Sequence, residues 1–395
     1  MFKLAVIYLF LHMLIVDSQA THIQKESIIK RESMKKKSRA SGEMIHEVIF
    51  AIKQNNLDTL DAMLLERSTP GSPTYQQWMT FEEIGDYISN PDSANAVKNW
   101  LGTNGITTHW ESPRKEYLKA KASIAKWEEL FAAEFFEWED DKMHEDAKHF
   151  IRSEDYSLPD HVHPHIEAVF NTVQAPPHLR KKFYRKDETA TTAMKSNLRS
   201  KVGENEQSDI AEDITVSLES DTAAPQSYVT VAFLSKLYGI SSNIGSTNLK
   251  QSVFETASQG YSTTDLSSFQ KYYGLTAQSA VNIGGHRTTE CGTISNYGYP
   301  YYYYGYGYSI NKPYGCGEGN LDIQYIMGIA QKTISIYWYV NPNQGDPFVA
   351  WLVDISGATD PPTSNSISWV SDHYSCFNLF IRKINSFLGH LFSFH

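Results

Sequence analysis

Two carboxylates define the chemistry this chain could perform. Glu318 and Asp322 stand four residues apart in Gly317-Glu-Gly-Asn-Leu-Asp-Ile-Gln-Tyr-Ile-Met327. The run reads as a helix over Glu318–Ala330, and four residues bring two side chains to one helix face, one turn apart. Two negative charges so close resist ionising together, so one carboxyl should keep its proton to a higher pH than usual. Such a carboxylate can be the general base for a hydroxyl in acid, where histidine is already protonated. An acidic pair at this spacing is also the ordinary composition of a solvated helix face, so the pair needs support from its surroundings.

A second group of titratable residues is His161-Val-His-Pro-His165. Pro164 and the lack of a second ligand cluster argue against a metal site. Histidine gains charge near pH ~6.5, so the triplet is a candidate acid sensor. Three cysteines, Cys291, Cys316 and Cys376, leave one thiol over in an oxidising compartment.

These residues sit in a chain of 395 with net charge −10 and no basic domain, which argues against nucleic acid as the partner. Lys3, the apolar run Leu4–Val16 and Ser18-Gln19-Ala20 read as a signal peptide over 1–20. The run is shorter than the roughly 20 apolar residues that span a bilayer. No later stretch reads as a membrane span. The expected location is therefore the secretory pathway, with a lysosomal or extracellular end point. Residues 21–42 are polar and basic without apolar periodicity and are expected to be flexible.

A compact domain is expected over 43–177. Glu47–Ile52 reads as a strand and Leu57, Leu60, Met63 and Leu64 recur at helical spacing. Thr80 and Glu83 form a capping box before a helix over 81–88. Ser93 is read as the cap of a helix ending at Leu101. Ile106–Trp110 and Tyr117–Ala122 follow as strands, then a helix over Ser123–Phe131, then strands at Glu134–Trp138 and His149–Arg152. This β-α-α-β-β-α-β order predicts an α+β, ferredoxin-like sandwich.

Residues 178–226 are basic, then rich in Ser, Thr, Glu and Asp, and read as an exposed linker open to proteolysis. From 227 folding signals return. Val231–Tyr238, Asn248–Ser258, Thr263–Tyr273 and Phe348–Ile355 read as helices, Thr333–Val340 and Ser366–Trp369 as strands. The tyrosine- and glycine-rich run Tyr297–Tyr308 reads as an expanded surface loop. Alternating strands and helices imply a parallel α/β sheet.

Several words in this order resemble the sedolisin (kumamolisin, tripeptidyl-peptidase I) acid serine peptidases. Phe50-Ala-Ile-Lys-Gln-Asn-Asn-Leu57, Gly71-Ser-Pro-Thr-Tyr75, Trp78-Met-Thr-Phe-Glu-Glu83, Val97-Lys-Asn-Trp-Leu101 and Pro164-His-Ile166 are similar to their activation prodomain. The segment around Glu318 and Asp322, with Gln344-Gly-Asp-Pro-Phe-Val-Ala-Trp-Leu352, is similar to the start of their catalytic domain. The resemblance covers 43–369 and implies a proenzyme whose second domain, 227–369, is the first part of a subtilisin-like α/β fold. It implies that Glu318 takes a serine proton, that Asp322 orients Glu318, and that the prodomain packs on the catalytic domain. Peptides or proteins would be the substrate of a completed enzyme.

The pattern departs after Trp369. Val370-Ser371-Asp372 replaces the expected glycine and acidic residues, and 370–395 has no counterpart in the family. The family's oxyanion aspartate, its Ser-Gly-Thr-Ser nucleophile and its calcium site would lie beyond this sequence, so no cofactor is expected within it. Ser356-Gly-Ala-Thr359 falls at a helix end before Pro361-Pro362 and is not the nucleophile. The expectation is an inactive form. The alternatives are a non-catalytic prodomain protein that inhibits or helps fold an intact sedolisin, and a non-functional truncated product.

Overall fold

The computed structural model describes residues 21–143, 148–181, 229–256, 259–285, 316–341 and 345–371. Residues 1–20, most of the 178–226 linker, the run 297–308 and the tail beyond 371 lie outside the described residues.

The first region comprises β1 (His22–Ser27), β2 (Met34–Arg39), β3 (Ile45–Ile52), α1 (Leu57–Ser68), α2 (Phe81–Ile88), α3 (Pro91–Thr103), β4 (Thr108–Glu111), β5 (Tyr117–Ser123), α4 (Ile124–Phe131), β6 (Phe135–Asp140), β7 (His149–Ser153), β8 (Asp155–Pro159), β9 (Ile166–Phe170) and β10 (Leu179–Lys181). Its main sheet is antiparallel with order β4-β5-β3-β9, flanked by a three-stranded sheet β2-β6-β7 and the pair β1-β8.

Period-two alternation along β3 builds two cores from one strand. Val48, Phe50 and Ile52 point to a core shared with Trp100, Leu101, Trp127 and Phe131 of the flanking helices. Ile49 and Ala51 point the other way, with Tyr117, Ala168 and Phe170. Both faces of the sheet are therefore buried, and β3 reads as a nearly unbroken apolar run. Local signals start the helices. Thr80 and Glu83 close the capping box of α2, with Thr80 N–H donating to Glu83 Oε2 at 2.7 Å. The α3 cap is Asn90, whose side chain accepts from the Ser93 amide at 3.1 Å, with Pro91 in the first turn. The expected cap, Ser93, is already inside the helix, because Asn90-Pro91 is the stronger start signal.

The second region comprises α5 (Val231–Leu237), β11 (Lys250–Glu255), α6 (Thr263–Tyr272), β12 (Val281–Ile283), α7 (Gly317–Ile329), β13 (Ile334–Tyr339), α8 (Pro347–Gly357), β14 (Ser364–Ile367) and β15 (Trp369–Ser371). Its sheet is parallel, in the order β12-β13-β11-β14. Phe348, Trp351, Leu352 and Ile355 of α8 join the second face of the β4-β5-β3-β9 sheet in one core, so the two regions share a continuous apolar interface.

Three expectations need correction. Residues 21–42 are not a flexible lead: β1 pairs with β8 and β2 with β6. Lys35, Lys36 and Lys37 of β2 meet Asp141, Glu154 and Glu139, so the lysines that hid the strand tie it to acids in or next to the neighbouring strands. Residues 250–255, expected within a helix, are the strand flanked by β13 and β14. Its polar positions are satisfied inside the sheet, Gln251 donating to Ser335 Oγ at 2.9 Å and Ser252 to Asn365. Residues 179–181, expected in the linker, pair with 369–371. That pairing also takes Val370 and Ser371, the first residues of the expected non-family tail, into a strand.

Candidate active site

Glu318 lies in the first turn of α7 and Asp322 one turn on; both are buried, 6% and 9% exposed. The sequence places them on one helix face, and the fold places that face inside the protein. Cys316 caps the helix from outside and is disulfide-bonded, which pins this end of α7; its partner lies outside the described residues. Gly319 is required by a close approach. A Cβ there would lie 2.3 Å from the Gly260 carbonyl oxygen and 2.5 Å from Tyr337 Oη. Asn320 ties the same turn to α6, accepting from the Ser262 amide at 2.8 Å and donating to Asp265 Oδ2 at 2.9 Å.

The Asp322 carboxyl is strongly perturbed. Burial is the first cause and the Glu318 charge adds to it, while a bond from Ser368 opposes them; the result is a carboxyl pushed up to about 7. Asp322 Oδ2 is buried with no hydrogen-bond partner among the described residues. The sequence argument ascribed a raised pKa to like-charge repulsion within the pair. Here desolvation comes first and repulsion assists it.

An open cleft of about 880 Å³ runs beside α7. Asp322, Ser368 and Ser366 supply polar groups to its lining, and Tyr272, Leu321 and Tyr325 supply apolar surface. Glu318 is not part of this lining.

Sequence reasoning missed a third buried acid. Glu255 ends β11 and is fully buried, and the Trp369 indole donates to its Oε2 at 3.1 Å. Tyr337 stands between the two acidic positions: burial, with Glu255 and Asp322 nearby, pushes its phenol above the ordinary range. Its ring packs on Tyr261 at 4.8 Å between centroids. Glu255, Tyr337 and Ser368 have no fixed spacing from Glu318 in the chain. The signal that could have found Glu255 is its place at the end of a parallel strand, and reading 248–258 as a helix concealed it.

Residues 32–175 match the family model of the pro-kumamolisin activation domain. The chain is similar to tripeptidyl-peptidase 1 of Dictyostelium discoideum, 27% identical over 342 residues, which is 83% of this chain and 52% of that protein. It is 23% identical to human tripeptidyl-peptidase 1 over 357 residues, 88% of this chain and 54% of the relative. The mouse protein is 22% identical over 346 residues, 85% and 52%. The chain thus spans about half the length of the curated relatives it matches. A pro-kumamolisin activation domain is thus matched over residues 32–175, and the chain is similar to tripeptidyl-peptidase 1 of the mouse over 85% of its length.

Proposed function

We propose that this chain is the proenzyme portion of an acid serine peptidase of the Ser-Glu-Asp type, with Glu318 as general base and Asp322 as its hydrogen-bonding partner. The observation that carries the reading is the burial of both carboxyls on one face of α7, with Asp322 held near 7. Below that pH Asp322 keeps its proton and can donate to Glu318, which leaves the negative charge on Glu318. A serine hydroxyl presented to Glu318 would lose its proton as its oxygen attacks a peptide carbonyl. The antiparallel order β4-β5-β3-β9 supports a ferredoxin-like prodomain, and the parallel order β12-β13-β11-β14 supports a subtilisin-like second domain. The apolar run Leu4–Val16 supports entry into the secretory pathway, with a lysosomal or extracellular destination. Among the described residues no helix is long and apolar enough to cross a membrane.

No Ser-Gly-Thr-Ser segment occurs within these 395 residues. Without that hydroxyl no acyl-enzyme forms, and this stretch alone does not turn over peptides. Among the described residues no group of three or more His, Cys, Asp or Glu side chains is placed to hold a metal ion; the family's calcium would need residues outside this stretch.

The test joins residues 21–369 to the remaining catalytic segment of a curated relative and follows peptide hydrolysis against pH. Acid-dependent turnover is expected, falling by about 100-fold or more in Glu318→Gln, the scale of general-base catalysis. The unfused chain should show none. Turnover by the unfused chain, or a fusion indifferent to Glu318→Gln, would reject the reading.

A further inference from the structure

α7 is apolar on more of its circumference than the sheet covers. Ile323 and Met327 are buried in one core with Val253 and Tyr337 of the sheet. Leu321, Tyr325 and Ile329 line the open cleft instead, and Leu321 is 36% exposed. Tyr272 of α6 and Val229 line the same cleft at 62% and 52% exposure. A helix that is apolar nearly all round belongs in an interior, and a contiguous exposed apolar surface marks a contact site. The edge strand of the parallel sheet, β14, reaches this cleft through Ser366.

The chain itself leads away from the cleft. Ser368 is part of the lining, and β15 follows it directly. The residues after Ser371 lie outside the described residues, but their sequence is regular. In Phe377-Asn-Leu-Phe-Ile-Arg-Lys-Ile-Asn-Ser-Phe-Leu-Gly-His-Leu-Phe392 apolar side chains recur every three or four positions, from Phe377 through Ile384 to Leu391. At the helical advance per residue, all of them but Leu379 fall within about 140° of arc. Asn378, Arg382, Lys383, Asn385, Ser386 and His390 fall on the remainder. Residues 372–376 can span about 17 Å, more than the roughly 10 Å of β15, so the run can turn back to the cleft. As a helix it would be about 24 Å long, against about 20 Å for α7.

We propose that residues 377–392 form an amphipathic helix seated in the cleft beside α7, its apolar face on Leu321, Tyr325 and Ile329 and its polar face in solvent. Asp322 lies in the same lining, so the seated helix also closes the cleft over that carboxyl. The chain spans about half the length of its relatives, and the run gives the exposed face of the second region a partner from its own sequence. Seating depends on apolar packing alone, whether or not Glu318 acts as a base. A lipid surface or a second copy would also accept an apolar stripe. The departure of the chain from the cleft itself favours the cleft, and Arg382 and Lys383 are few cations for a helix that lies on lipid.

The test follows amide hydrogen exchange over residues 377–392 in the full 395-residue chain at pH 7. These amides should exchange at least about 100-fold slower than the intrinsic rate of an unstructured chain. Leu321→Asp on the cleft side and Ile384→Asp on the run should each remove about ten-fold or more of that protection. Ser386→Asp adds the same charge on the polar face and should change it by less than about two-fold. Exchange at the intrinsic rate would overturn the proposal, as would protection indifferent to Leu321→Asp. Protection found only in a sedimenting dimer, or only with phosphatidylglycerol vesicles, would overturn it in favour of a second copy or a lipid surface. Should Leu321→Asp also expose the amides of Val253 and Tyr337 in the sheet, Tyr272→Asp, at a more exposed wall of the cleft, takes its place with the same expected loss.

Discussion

Asp140 in the first region and Asp322 in the second are both buried acids, and their carboxyls are shifted in opposite directions. Burial alone would raise Asp140, but bonds from Ser33, His178 and the Lys142 amide, with the Arg31 charge, outweigh it and hold the carboxyl at about 2. Arg31 Nη2 lies 2.6 Å and His178 Nε2 2.9 Å from its Oδ2. Asp322 has one bond from Ser368 and a like charge beside it, and it rises to about 7. The surface acids Glu139, Asp141 and Glu154 of the prodomain are likewise lowered by lysine partners. Asp346 and Asp354 on the other side are raised by burial. Glu116 is the prodomain's exception, raised by burial despite the Ser112 hydroxyl at 2.5 Å. The difference separates carboxylates that hold the fold through ion pairs from carboxyls buried without an ion pair and able to exchange protons.

The severest test of this comparison removes the basic strands. A fragment beginning at residue 43 loses β1 and β2, exposes the edges of β8 and β6, and leaves Asp140 without Arg31. It should fail to melt cooperatively, whereas 21–181 should melt as one unit; equal melting of the two would show that the pairing is decorative. Next in size is Asp140→Ala, which leaves Arg31 buried without its counter-ion. The expected loss is about 3–5 kcal/mol by denaturant titration. A loss under about 1 kcal/mol would place the cluster with ordinary surface pairs.

Gly319→Ala probes the other region. The added carbon meets a backbone carbonyl, which cannot swing away, so a loss of about 1–3 kcal/mol is expected in unfolding of the second region. Asp322→Asn should act the opposite way to Asp140→Ala. Its folded pKa is raised above the unfolded value, so its favourable contribution is complete below about 4 and disappears as pH rises through about 7. The wild type should therefore be less stable at pH 8 than at pH 5. Asp322→Asn should flatten that slope and gain about 2 kcal/mol at pH 8. A slope unchanged by the substitution would locate the titration elsewhere. The smallest effect is Thr80→Ala, which opens the α2 capping box and should cost about 1 kcal/mol, independent of pH from 6 to 8.

Much of this molecule is determined by short stretches of sequence. The Thr80–Glu83 box starts α2 where its spacing requires, because both bonds join residues three apart. The double-sided burial of β3 follows from an apolar residue at almost every position. The four-residue spacing of Glu318 and Asp322 puts them on one face of α7 wherever that helix lies. Tertiary structure decided the rest. The β2 run Met34-Lys-Lys-Lys-Ser-Arg39 has no apolar period, and it becomes a strand through backbone bonds to β6 and acids some hundred residues away. Strand β11 is polar at Gln251 and Ser252, and those groups find partners only inside the assembled sheet. The titration of Asp322 rests on desolvation, and a chain has no interior until distant segments meet. Spacing could name the pair, but packing alone turned Asp322 to the cleft and set Glu255, Tyr337 and Ser368 about it.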